Sequence, residues 1–117
     1  MADPTLSSPY VTGTISITGG AAVSLFALIV SQLDPDVSSM AQRVNLQAPG
    51  DNGGTIAVGC SNRATNTDVS ATNRGYDLAP GANVRYDSTG SEIQNVPLGR
   101  MRVFCATDVK LNVEVIA

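Results

Sequence analysis

The sequence predicts a mainly β, single-domain fold, a β-sandwich or closed barrel with one short helix, and three observations lead there. Segment after segment alternates apolar and polar residues with period 2, as a half-buried strand requires. The segments are short and are punctuated by turn signals such as Gly19-Gly20, Pro49-Gly50-Asp51-Asn52-Gly53-Gly54 and Ala79-Pro80-Gly81. The 117 residues are 43% hydrophobic but only 4% aromatic, without Trp, which provides for one modest core built of Val, Ile, Leu and Ala.

Residues 1–9 have no basic residue and no apolar run, so they lack the features of a secretory signal and are read as a flexible arm on a chain made in the cytosol. Residues 10–117 form the domain. Val11 to Thr18 places Val11, Gly13, Ile15 and Ile17 on one face and Thr12, Thr14, Ser16 and Thr18 on the other, a half-buried strand. Ala21 to Leu33 carries Ala22, Phe26, Ile29 and Leu33 at helical spacing and is stopped by Asp34-Pro35. It is read as a helix, with a buried strand as the alternative because Val23, Ile29 and Val30 are β-branched. Its most apolar part, Ala21 to Val30, is about half the roughly 20 residues that a membrane-spanning helix needs.

Gln42 to Ala48 points Val44, Leu46 and Ala48 inward, and Thr55 to Ser61 does the same with Ile56, Val58 and Cys60. With the Gly-rich turn between them, the two are expected to form a hairpin. Asn62 to Asn73 is polar and is read as an exposed loop suited to partner contacts. Gly75 to Leu78 and Asn83 to Asp87 are short strands around Ala79-Pro80-Gly81, with Val84 and Tyr86 as anchors, and Ser88 to Leu98 is mostly loop. Arg100 to Thr107 and Val109 to Ala117 close the chain as two alternating strands, for a total of seven.

The chemistry present argues against catalysis. There is no His, which removes the commonest general base and the commonest transition-metal ligand, and the sole lysine, Lys110, lies on the polar face of the last strand. Asp34/Asp36 and Asp77/Asp87 are the candidate carboxylate pairs, but each sits beside turn residues and is read as a turn cap or surface charge. Gly50 to Gly54 lacks both the Lys-Ser/Thr of a phosphate loop and the spaced acids of a calcium loop. No cofactor or metal is expected. A net charge of −3, with seven basic residues scattered along the chain, gives no patch for nucleic acid. Cys60 and Cys105 are read as buried thiols; a disulfide between them is the alternative if their strands are neighbours.

The outward row Arg100, Arg102 and Phe104 forms a basic and aromatic strip of the kind enriched in protein contacts. It joins the arm, with Asp3, Pro4, Thr5 and Leu6, and the loop arginines Arg63 and Arg74 as the expected partner-binding residues. The thin core and the strand edges make a dimer or trimer the expected assembly.

The order of motifs, namely Thr14-Ile15-Ser16-Ile17-Thr18, the Ala21 to Leu33 segment, Arg43 to Ala48, Thr55 to Gly59, Gly75 to Gly81 and Arg100 to Ala106, covers most of the chain from residue 14. It resembles the small structural proteins of tailed bacteriophages, of the capsid decoration or cement type. The resemblance implies a compact β-sandwich of the jelly-roll sort that sits on the capsid surface of the virion, bridges major capsid protein subunits and braces the shell. It brings no catalytic residues. A head-fibre base, head-to-tail adaptor or tail component is the rival within the virion. A soluble carbohydrate- or peptide-binding β module is the rival outside it, for which only Tyr10, Tyr76 and Tyr86 offer aromatic platforms.

Overall fold

The computed structural model describes residues 8–60, 76–88 and 96–117. Along the chain run β1 (Tyr10–Ile17), β2 (Val23–Ser24), α1 (Leu25–Gln32), β3 (Arg43–Gln47), β4 (Ile56–Cys60), β5 (Tyr76–Leu78), β6 (Asn83–Asp87), a 3-10 turn (Leu98–Arg100), β7 (Met101–Cys105) and β8 (Val109–Ile116). The fold is mainly β. Two four-stranded antiparallel sheets are formed, in the orders β1-β8-β3-β6 and β2-β7-β4-β5. Of the strands, only β4 and β5 are neighbours both in sequence and in a sheet. The radius of gyration, 13.6 Å, is that of one compact domain, for which about 13 Å is expected at ~100 residues.

Period-2 alternation decides which side chains enter the core. In β8, Val109, Leu111, Val113 and Val115 are buried while Lys110 is exposed, and in β1 Val11, Ile15 and Ile17 are buried against exposed Thr12, Thr14 and Ser16. Both sheets feed one cluster, whose fully buried side chains include Ile15, Ile17, Leu25, Ile29, Leu46, Ile56, Leu78, Leu98, Met101 and Leu111. Among the described residues no aromatic ring is fully buried; Phe26 and Tyr86 pack against the margin of the cluster. Gly13 occupies an inward position of β1 because Leu33 fills the space beside it: a Cβ there would lie 2.6 Å from Leu33 Cδ2.

The Ala21 to Leu33 segment divides between the two readings its sequence allows. Val23 and Ser24 pair with Val103 and Arg102 as a two-residue strand, and the helix begins only after Ser24, whose hydroxyl accepts from the Ala27 N–H at 3.2 Å. An eight-residue helix is too short to be stable alone, and burial of Leu25 and Ile29 holds it. The helix closes with Leu33 N–H and Asp34 N–H both donating to Ile29 O, just before Pro35.

The expected hairpin of β3 and β4 is not formed. β3 lies between β8 and β6, and β4 lies between β7 and β5 in the other sheet. The 48–55 connection is instead tied to β8: the Asn52 side chain donates to Lys110 O at 2.8 Å and accepts from Lys110 N–H at 3.1 Å, continuing the ladder beyond the end of β3. Among the described residues the strands number eight, not seven, because β2 is too short to show a period. The turn at Pro80-Gly81 does appear, with Ala82 N–H donating to Ala79 O and Gly81 at φ 87°, as a type II turn with Pro at its second position requires. The polar loop expected over 62–73 and most of the 88–98 loop lie outside the described residues.

Close approach of the chain also fixes Gly19. A Cβ there would meet the Thr107 backbone at 2.6 Å, and its N–H donates to Asp108 Oδ1. The neighbouring edge of β1 is sealed by a side chain: Gln32 Oε1 accepts from Ser16 N–H at 2.7 Å and Gln32 Nε2 donates to Ser16 O at 2.9 Å. The amide thus stands where a further strand would pair, which blunts an otherwise open edge. Gln32→Ala is expected to lower unfolding stability by about 1–2 kcal/mol, the net worth of two hydrogen bonds, and to increase self-association. Urea denaturation and sedimentation velocity measure the two effects.

β4 and β7 are neighbours, yet Cys60 and Cys105 lie at opposite ends of the pair. Cys60 stands opposite Met101, and Cys105 opposite Ile56. Four residues of extended chain separate them by roughly 13 Å, whereas a disulfide needs Cα atoms within about 7 Å. Cys105 is a free, buried thiol. Denaturation without reductant is expected to release both thiols of the chain to a thiol reagent, with no change in yield when reductant is added first.

Candidate partner-binding surfaces

Of the partner-binding residues read from sequence, Asp3, Pro4, Thr5, Leu6, Arg63 and Arg74 lie outside the described residues. Of the other three, Arg102 and Phe104 belong to the sheet β2-β7-β4-β5. Arg102 and Phe104 occupy the outer face of β7, Arg102 between Ser24 and Gly59 and Phe104 opposite Ala57. Both are half-buried, and Ala57 is buried although it stands apart from the core cluster, so this face is covered around Phe104. Arg100 is not on the strand with them. It ends the 3-10 turn, exposed, because Leu98 is drawn fully into the core, Gly99 N–H donates to Ser39 O and Arg100 N–H closes on Pro97 O. Arg100 and Arg102 are each already engaged in contacts within the chain.

The outer face of the other sheet is a continuous polar layer. Register sets Thr12, Glu114, Asn45 and Arg85 in one row and Thr14, Asn112, Gln47 and Asn83 in the next, with Tyr10, Ile116, Arg43 and Asp87 on the far side. Hydrogen bonds run across it. Thr14 Oγ1 donates to Asn112 Oδ1 at 2.7 Å, Asn112 Nδ2 donates to Gln47 Oε1 at 3.3 Å, and the Tyr10 hydroxyl donates to Glu114 Oε2 at 2.9 Å. Asp87 receives both arginines, Arg43 Nε at 2.7 Å and Arg85 Nε at 2.9 Å, and this pairing holds its carboxyl below the usual range. Asn45 Oδ1 is buried and has no hydrogen-bond partner, a state that costs about 1–3 kcal/mol. A depression of about 270 Å³ opens on this face, lined by Thr12, Thr14, Asn45, Gln47, Asn112 and Glu114 together with Gly13 and Val113.

Sequence alternation marks Thr12, Thr14, Asn45 and Gln47 as outward, but nothing in it says that β1 and β3 flank the same strand. The strand order assembles this surface, and so it was not foreseen.

No family model, curated protein sequence or solved structure matches this chain.

The carboxylate pairs do structural work. Asp77 and Asp87 fall in different sheets, and Asp87 is held by its arginines. Asp34 builds a turn: its Oδ1 accepts from Asp36 N–H at 2.8 Å, two residues on, while Oδ2 accepts from the Ser8 hydroxyl at 2.6 Å. Ser8 N–H also donates to Asp36 O, and Ala117 N–H donates to Pro9 O, so the chain is fastened to the domain at residues 8 and 9. Among the described residues no group of three or more His, Cys, Asp or Glu is placed to hold a metal. Burial, reinforced by the charge of Asp108, pushes the Cys105 thiol up, and its S–H points to Ile17 O at 3.8 Å. That thiol is therefore a poor nucleophile.

The fastening at Ser8 depends on pH. The Ser8 hydroxyl and then the Asp36 N–H hold the Asp34 carboxyl below its usual range, with desolvation opposing weakly. A folded pKa below the unfolded one means that the clamp contributes fully above the unfolded value of about 3.9 and is lost as pH falls through the lower folded value. The protection of the Asp36 amide, the intrinsic exchange rate at each pH relative to the observed one, is expected to fall over that acidic interval in the wild type. In Asp34→Asn, which cannot titrate, protection at Asp36 is expected to show no such acid-induced step.

Proposed function

We propose that this chain is a non-enzymatic virion protein of a tailed bacteriophage, a decoration or cement protein that binds across major capsid protein subunits on the head surface and stabilises the shell. The observation that carries this reading is the winding of the strands. The pairs β1·β8, β2·β7, β3·β6 and β4·β5 are the rungs of one long antiparallel ribbon. Rolling that ribbon brings β8 beside β3 and β7 beside β4, the two remaining pairs. This strand order supports reading the chain as a jelly roll, a double-sheet fold used by viral capsid proteins and lectins. It favours a β-sandwich in which both sheets turn one face to the shared core and the other outward.

The surface chemistry supports a binding role. A fold of this kind hosts many functions, so the function must be argued from its surfaces. In this reading exposed Arg100 and half-buried Arg102 would meet acidic groups on a capsid subunit, with Phe104 beside Arg102, and the residues ahead of the fastening at Ser8 would supply a further contact. Each contact is small. Contacts shared between two or three capsid subunits raise the effective concentration of the next, so a modest patch per copy suffices. A dimer or trimer of the chain would multiply this further. A head-fibre base, an adaptor or a tail component uses the same surfaces at fewer places on the particle.

Mixing the purified protein with undecorated phage heads, followed by sedimentation, tests the reading. Saturation at a copy number proportional to major capsid subunits is the expected result. Saturation at the number of vertices or portals reassigns the chain to the rival virion roles, and absence of binding removes it from the capsid. Arg100→Ala with Arg102→Ala is expected to weaken head binding about tenfold or more, the loss of over 1 kcal/mol that marks an energetically important interface residue.

A further inference from the structure

The polar layer on β1, β8 and β3 has a use that capsid binding through the opposite sheet leaves free. We infer that it is a binding site for a neutral saccharide, with the depression between Thr12, Thr14, Asn45, Gln47, Asn112 and Glu114 as its principal subsite.

The donor and acceptor inventory selects the ligand. Five of the six side chains are hydroxyls or amides, which donate and accept on adjacent atoms, and the sixth is a carboxylate, which only accepts. A sugar ring presents the complementary set: neighbouring hydroxyls that each donate once and accept, with no net charge. An anion is disfavoured, because Glu114 is the one charged group in the lining and the nearby arginines, Arg43 and Arg85, are both committed to Asp87. A hydrophobic peptide finds no outward apolar side chain in the lining, because Val113 turns its side chain into the core.

Three further observations agree. The volume, about 270 Å³, falls just below the roughly 300 Å³ at which drug-sized ligand sites begin, and so limits the occupant to a single ring. Asn45 Oδ1 is buried without a partner, and rotation about its soft terminal torsion would turn the amide toward a ligand hydroxyl, which relieves that deficit on binding. Tyr10, 52% exposed, stands on the same face with its hydroxyl fixed by Glu114, and so offers a ring held in place at the border of the site. A second, separate depression of about 250 Å³, lined by Ser16, Ile17, Thr18, Asp108, Val109 and Lys110, lies one row further along β1 and β8, where a second sugar unit would fall.

The test is a two-dimensional NMR titration of the intact chain with methyl glycosides of glucose, galactose, mannose and N-acetylglucosamine, each raised to about 10 mM, tenfold above a millimolar Kd. The expected result is that at least one glycoside shifts amides clustered at Thr12, Thr14, Asn45, Gln47, Asn112 and Glu114, and that its disaccharide extends the shifts to Ser16 and Lys110. Thr12→Ala with Gln47→Ala removes two exposed side chains without touching the core, and is expected to weaken that binding at least tenfold, with the loss of the Asn112–Gln47 hydrogen bond lowering the melting temperature by only a few degrees. No shift with any of the four glycosides overturns the inference, as do shifts confined to the β7 face or affinity unchanged in the double variant. Shifts on this face that depend on protein concentration without sugar would assign the surface to a second copy of the chain and overturn it equally.

Discussion

The pairing of β8 with both β1 and β3 is the constraint on which the rest of the structure depends. β8 is the last strand, yet it lies inside its sheet and meets β1 along all eight residues of each, from Tyr10 opposite Ile116 to Ile17 opposite Val109. The same strand carries β3 on its other side. One consequence is energetic: Val109, Leu111, Val113 and Val115 supply an inward row to the core, and each buried side chain of this kind contributes about 1.5–3 kcal/mol. The other is topological. With β1, β8, β3 and β6 gathered in one sheet, β2, β4, β5 and β7 make up the second one. Because these contacts are distant in sequence, loop closure must precede most of the stabilisation, and slow folding typical of all-β domains follows from that topology.

Where strands end, side-chain amides take over. Gln32 pairs with the backbone of Ser16, Asn52 with that of Lys110, and Asn112 links Thr14 to Gln47 above the central strands. An amide carries a donor and an acceptor about as far apart as those of a peptide group, so it can substitute for a short piece of strand. The same chemistry that seals the sheet makes its outer face able to recognise neutral polar groups. With few ionised groups and no histidine, the described surface gains its specificity from geometry more than from charge, and its recognition chemistry is therefore insensitive to pH in the neutral range.

Much of the fold was legible because period 2 is a local property. The inward rows of β1, β3, β7 and β8 and the turn at Pro80-Gly81 follow directly from residue order. Alternation says which way a side chain points and nothing about which strand lies alongside. Hence β3 and β4, each correctly placed, were joined into a hairpin that the structure replaces with a crossing between sheets. β2, at two residues, is below the length at which any period exists. Arg100 follows the alternation of Arg102 and Phe104 in sequence but is turned away by the burial of Leu98, a tertiary effect. The site on β1, β8 and β3 was hidden for the same reason: its six polar residues are ordinary outward positions until the strand order brings them together.

The two outward faces are built differently and suit partners of different chemistry. On the β7 side, half-buried Phe104 stands over buried Ala57, with Arg102 beside it, so apolar and cationic groups coincide. Such a surface suits a protein partner, whose binding energy comes from a few anchors of this kind. On the β1-β8-β3 side the exposed groups are hydroxyls and amides already linked to one another, and displacing them by water or by sugar hydroxyls exchanges like for like. Binding there is weak per site and gains strength only by repetition. A particle that displays many copies supplies that repetition. A domain fixed to a shell by one sheet, with the other sheet facing solvent, would therefore turn a millimolar preference for sugars into a useful attachment, whereas the same domain free in solution would not.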